Sequence, residues 1–193
     1  MEAVADFERC VALLRGGDPA GATTALLSLR DNPQCVDIAR AVLARSTDGD
    51  ALFHALALFR DGALKSWDAR PSNERDAMAA AALDFARGEA ARNAPPYVTA
   101  AAAECFATLW ARGYVDACAA DAHDAAVRRG RDAVVAVAAA GGAAIVATTL
   151  SCLLAELSGV GRTHLGVARA RRAAARHRFG GGGAVACGAW AAS

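Results

Sequence analysis

Three groups of residues in this chain are of types that can do chemistry: four histidines, six cysteines, and two aspartates grouped around one of the histidines. His54, His123, His164 and His177 are scattered along the sequence. Asp121, His123 and Asp124 stand together, but the spacing i, i+2, i+3 spreads their side chains around a helix, so a solvated edge is expected there in place of a metal or acid–base centre. Cys10, Cys35, Cys105, Cys118, Cys152 and Cys187 form no CxxC pair and none stands at metal-ligand spacing from a histidine. Most fall on apolar helix faces, and they read as buried free thiols in a reducing compartment. The sequence has no GxSxG, P-loop or HExxH motif. The run Gly180–Gly183 lacks a preceding strand and a following lysine, so it reads as low-complexity chain and not as a phosphate cradle. The expectation is a protein that is no enzyme, with no catalytic, metal-binding or cofactor-binding residues.

The chain must then act through its surfaces, and its helices set what those are. The 193 residues suffice for one domain or a few helical repeats. The 55% hydrophobic content is inflated by alanine, a strong helix former that adds little core volume, while the aromatic share is 6%. Thin, closely packed helices around a few Leu, Phe and Trp residues are expected. Of 21 basic residues, six are arginines from Arg162 onward, whereas all 20 acids precede it. The body is therefore mildly acidic and the tail basic, which speaks against nucleic acid as the main partner of the body. The start, MEAVADFERC, is acidic and amphipathic, unlike a secretory signal peptide. The uncharged segment between Asp132 and Glu156 is long enough to span a bilayer. It is rich in Ala, Gly and Thr and is divided at Gly141-Gly142, so two buried helices meeting at a glycine turn are expected, and no membrane span.

Cap and breaker signals divide the first 158 residues into helices. The first covers about Glu2–Arg15. Asp18-Pro19 opens a second to about Arg30, and Asn32-Pro33 opens a third to about Arg45. Asp48-Gly49-Asp50 is a turn and cap before ALFHALALFRDGALKSW, Ala51–Trp67. Ser72 is expected to cap a helix running to about Glu89, Pro95-Pro96 to precede another that Gly113 stops, and two or three more to fill Asp116–Ser158. No run alternates as a strand does; VVAVA near Val134 is the one ambiguous piece. In Ala51–Trp67, Leu52, Leu56, Phe59, Ala63 and Trp67 form one apolar stripe, widened by Phe53, Ala55, Ala57 and Leu64. His54, Arg60, Asp61 and Lys65 fall mostly off it, and Gly62 would let a neighbouring helix approach closely. Trp67 and Trp110 read as packing residues.

The helices come in pairs whose second member is the more apolar. Phe53, Tyr97 and Ile145 sit near the starts of second helices, spaced by 44 and 48 residues; Trp67, Trp110 and Leu157 sit near their ends, spaced by 43 and 47. These spacings approximate the period of HEAT and armadillo repeats, in which stacked pairs bury a face that one pair alone cannot. The expected fold is all-α, a HEAT/armadillo-like right-handed α-solenoid of stacked antiparallel helix pairs over residues 1–160, followed by a disordered basic Arg/Gly/Ala-rich tail over 161–193.

Three segments carry a resemblance to a known family. LLSLRDNPQCVDIARAVLARSTDGDALFHALALFRDGALKSW (26–67), PPYVTAAAAECFATLWARGYVD (95–116) and TTLSCLLAELSGVGRTHLGV (148–167) together resemble the early repeats of exportins, in the importin-β (karyopherin) family of nuclear transport receptors. The likeness spans about Ala20–Val167; the ordered set carries it and no single motif is diagnostic. It implies a receptor that binds the GTPase Ran in its GTP form together with protein cargo, contacts nuclear pore proteins, and moves between nucleus and cytoplasm. It also implies a Ran-facing edge on the inner helices, with Arg60, Asp61 and Lys65 as the candidate residues. After Val167 the text departs from the exportin pattern. It is expected either to be read from noncoding sequence in a truncated or wrongly spliced gene model, or to be a genuine basic tail that binds RNA or acts as a localisation signal. A generic repeat scaffold with no link to Ran is the alternative function. The helix bearing Leu150, Leu153 and Leu157 is expected to leave a sticky open end.

Overall fold

The computed structural model describes residues 2–88, 93–120 and 143–158, with scattered positions from 122 to 139. Among these residues the fold is all-helical and contains no strand. The helices are α1 (Glu2–Gly16), α2 (Pro19–Asp31), α3 (Cys35–Arg45), α4 (Gly49–Lys65), α5 (Ser72–Arg87), α6 (Pro96–Ala119) and α7 (Ala143–Ser158), with a single 3₁₀ turn at Trp67–Ala69. The run near Val134 lies largely outside the described residues, though Val135 is helical. Gly141-Gly142 and the 161–193 tail lie wholly outside them.

Most helix starts follow the caps in the sequence. Asp18 accepts a hydrogen bond from the Gly21 backbone N–H at 2.9 Å, ahead of Pro19 in the first turn of α2. Asp48 Oδ1 accepts from the backbone N–H groups of Asp50 and Ala51 at 2.9 and 3.0 Å. Three details differ. Asn32 does not begin a helix; its side chain accepts from the Gln34 N–H at 2.8 Å and closes a turn, after which α3 starts at Cys35. Ser72 is the first residue of α5 and not its cap, because Pro71 already holds extended backbone and offers its carbonyl to Glu74 and Arg75. Gly113 does not stop α6, which continues to Ala119. A mid-helix glycine costs about 1 kcal/mol relative to alanine. The burial of Tyr114 and Val115 just beyond it, at about 1.5–3 kcal/mol for a large apolar side chain, outweighs that cost.

Two helix hairpins follow directly from the contacts. α3 and α4 are antiparallel: Cys35 and Val36, at the start of α3, lie against Gly62 near the end of α4. α5 and α6 are antiparallel as well, since Arg75 near the start of α5 pairs with Asp116 near the end of α6. α4 and α6 lie side by side and run parallel. Phe53 meets Tyr97, Arg60 meets Glu104 and Asp68 meets Arg112, each pair 44 residues apart. Only parallel neighbours keep a fixed offset along their lengths. On the other side of α4, Arg30 reaches Asp61 and Asp31 reaches Lys65, so the ends of α2 and α4 come together.

One hydrophobic core runs through α1, α3, α4, α5 and α6, with Phe7, Leu56, Phe59, Trp67 and Leu109 among its fully buried side chains. α4 is its axis. Eight of its residues are buried, including Leu58, which the sequence stripe omits, because helices cover α4 on more than one side. Phe53 departs from the stripe in the other direction and is 40% exposed. A second, smaller cluster joins α6 to α7 through Ala111, Tyr114, Cys118 and Leu153. Leu153 is therefore packed and not part of an open end, whereas Leu154 of α7 is exposed. The side chain of Leu157 lies outside the described residues.

Candidate functional site

The three candidate edge residues all stand on the last two turns of α4, where α2 lies on one side and α6 on the other. Asp61 takes a guanidinium on each oxygen: Arg30 Nη2 at 2.7 Å on Oδ2 and Arg60 Nε at 3.0 Å on Oδ1. Arg60 then reaches across to Glu104 of α6 with Nη1 at 2.6 Å. The result is an alternating chain, Arg30–Asp61–Arg60–Glu104, crossing three helices. The Arg60 side chain is only 14% exposed and Asp61 23%, so this chain is less screened than a surface ion pair. Lys65 is different. It donates to Asp31 Oδ1 at 2.8 Å from a side chain 62% exposed, and its ammonium holds the Asp31 carboxyl below the usual range. Arg60 and Asp61 are thus partly enclosed interhelical ties, and Lys65 is the most exposed of the three.

Two further polar clusters hold the same helices. At the starts of α4 and α6, Arg15 of α1 binds Asp48 Oδ1 at 2.7 Å and Asp50 Oδ2 at 2.6 Å, while Tyr97 donates its hydroxyl to Asp50 Oδ1 at 2.7 Å. The Tyr97 hydrogen bond, with help from Arg15, lowers the Asp50 pKa, and the same bond raises that of Tyr97. The Ala51 backbone N–H and Arg15 lower that of Asp48. Beyond the end of α4, Trp67 donates its indole N–H to Asp116 Oδ2 at 2.7 Å. Arg75 donates to the same oxygen at 2.9 Å and lies over the Trp67 ring. Arg112, its side chain 8% exposed, reaches Asp68 at 2.6 Å. Trp67 is a packing residue, as expected, and a hydrogen-bond donor besides. Trp110 is half-buried and stacks on Tyr114 with centroids 5.3 Å apart.

A cleft of about 250 Å³ opens between α2 and α4, floored by α1. Phe7, Leu14, Leu26 and Leu58 supply apolar wall, and Thr23, Arg30, His54 and Asp61 bring polar atoms to it. Partial burial lowers the His54 pKa below its ordinary value, against a weaker opposing pull from Asp50. Sequence reasoning missed this cleft and the partners Arg30, Glu104, Asp68, Arg112 and Asp116. One signal was available: the 44-residue spacing from Phe53 to Tyr97 also pairs opposite charges at Arg60/Glu104 and Asp68/Arg112.

Asp121 and His123 lie outside the described residues, so the carboxylates expected on a solvated edge are represented by Asp124 alone. Among the described residues no group of three His, Cys, Asp or Glu side chains is placed to hold a metal ion. Cys10, Cys35 and Cys105 are free thiols, and burial pushes the Cys105 pKa up to about 12. No described helix is long and apolar enough to cross a membrane. No protein-family model, curated protein or solved structure matches the chain.

Proposed function

We propose that this protein is a helix-pair scaffold for protein partners, of the exportin type, binding Ran in its GTP form together with protein cargo. What supports the scaffold reading is the parallel placement of α4 and α6 at a fixed offset of 44 residues. Stacking hairpins in one sense in this way is how HEAT and armadillo repeats build a right-handed solenoid with an extended wall. The resemblance of residues 26–67, 95–116 and 148–167 to early exportin repeats supports the choice of Ran. On this reading Ran and cargo bind cooperatively in the nucleus because both favour one curvature of the scaffold. Hydrolysis of GTP by Ran in the cytoplasm then releases both, and contacts with nuclear pore proteins carry the complex across. The scaffold itself catalyses nothing. Lys65, the most exposed of the three edge residues, touches Ran, while Arg60 and Asp61 hold α4 between α2 and α6.

A second reading, a repeat scaffold with no connection to Ran, is favoured by a specific observation. Arg60 and Asp61 spend their charges on Glu104, Arg30 and each other, which leaves less of that edge for a partner. Capture of the full chain on immobilised Ran, loaded with GTP or with GDP, separates the two. The exportin reading requires retention on the GTP form and its reduction by Lys65→Glu; equal retention on both forms selects the generic scaffold.

A further inference from the structure

We propose that the cleft between α2 and α4 is a binding site for a small amphipathic carboxylate whose apolar body is the size of a medium-chain acyl group. The wall formed by Phe7, Leu14, Leu26 and Leu58 suits an apolar body, and the cleft's volume of about 250 Å³ sets its size. The polar end is chosen by which hydrogen-bonding groups are already spent. Thr23 Oγ1 donates to the Pro19 carbonyl at 2.7 Å. Both oxygens of Asp61 carry a guanidinium, from Arg30 and from Arg60. What remains includes one cation of the cleft lining, Arg30. Arg30 makes its ion pair through one terminal nitrogen and keeps a side chain 52% exposed, and a guanidinium has five N–H groups to offer. His54 is half-buried and makes no hydrogen bond among the described residues; its ring meets Phe53 edge-on with centroids 5.4 Å apart. A neutral imidazole offers one further N–H. A cation with spare N–H groups, beside a carboxylate whose charge already faces two guanidiniums, selects a ligand end that accepts and is negative, and a carboxylate fits the arginine fork. An amine would find Asp61 already doubly paired, and an alcohol would forgo the charge-assisted bond.

Isothermal titration of the full chain with octanoate, octan-1-ol and octylamine tests this. Octanoate is expected to saturate one site, octanol to bind at least about tenfold more weakly, and octylamine to give no saturable signal. Arg30→Gln is expected to bring octanoate down to the level of octanol, and Ala57→Trp, which fills the cleft, to remove binding of both. In the unsubstituted chain, nuclear Overhauser contacts from octanoate should fall on the methyls of Leu26 and Leu58, a readout that needs no variant to fold. Absence of saturable octanoate binding, equal affinity for octanol, or contacts only to methyls outside the cleft overturns the proposal.

Discussion

Arg60 and Glu104 stand 44 residues apart in sequence, and their side chains meet at 2.6 Å across the boundary between two helix hairpins. The same offset separates Phe53 from Tyr97 and Asp68, in the turn after α4, from Arg112, so one aromatic contact and two ion pairs fix one register of α4 and its following turn against α6. The account of this protein as a stacked scaffold depends on that register.

The Arg60–Glu104 tie is expected to be worth about 1 kcal/mol in a double-mutant cycle, toward the upper end for pairs that keep some solvent contact. Arg60→Ala should destabilise by more than that coupling, because Asp61 also loses a partner. Urea unfolding of Arg60→Ala, Glu104→Ala and the double variant measures both quantities; strict additivity would remove the tie from the account.

Gly62 and Gly113 should respond in opposite ways to alanine. A Cβ at Gly62 would meet Cys35 Sγ at 2.6 Å and Val36 Cγ2 at 3.0 Å, whereas one at Gly113 meets nothing nearer than Trp67 Cζ2 at 3.8 Å. Gly62→Ala should cost about 1–3 kcal/mol through overpacking despite its better helix propensity. Gly113→Ala should stabilise by up to about 1 kcal/mol. Introducing Cys35→Ala beside Gly62→Ala should recover part of the loss, and thermal melts of the four chains check all three statements.

Trp67 joins the core to the polar cluster beyond α4. Trp67→Ala should cost about 3–5 kcal/mol, the range for large aromatic truncations. Trp67→Phe keeps much of the burial but leaves Asp116 with one donor fewer, and should cost about 1–3 kcal/mol. Equal losses for the two substitutions would show that the hydrogen bond to Asp116 carries the stability and the ring does not.

The Arg15–Asp48–Asp50–Tyr97 cluster should fail at both extremes of pH. Asp48 and Asp50 have lowered pKa values in the fold, so their stabilisation is complete above the ordinary aspartate range and is lost as the pH falls through and below it. Tyr97 has a raised pKa, so its contribution is complete below pH 10.0 and is lost as the pH rises beyond it. His54, with a lowered pKa, withdraws stability as the pH falls below 6.5, because the unfolded chain then takes up the proton more readily. Denaturation midpoints from pH 3 to 11 should form a plateau with two falling limbs, and Tyr97→Phe should flatten the alkaline limb.

Much of the helical layout was legible because it rests on local signals. Asp18, Asp48 and the proline turns act within a few residues, and the stripe Leu52, Leu56, Phe59, Ala63 reports which face of α4 is buried. Gly113 was misread because a breaker signal is local, whereas the burial of Tyr114 and Val115 that overrides it is tertiary. The site was less legible for the same reason. Arg60 and Asp61 look free in a helical projection, since the residues that claim them, Arg30 and Glu104, lie on other helices. The cleft was invisible, because a void between α2 and α4 is a property of their separation and of no residue in either.

The most direct test of the central claim is a calorimetric titration of the full chain with Ran in its two nucleotide states. The account predicts saturable binding to the GTP form at least about tenfold tighter than to the GDP form. Equal affinities, or no binding to the GTP form by a chain whose circular dichroism shows it helical, would contradict it.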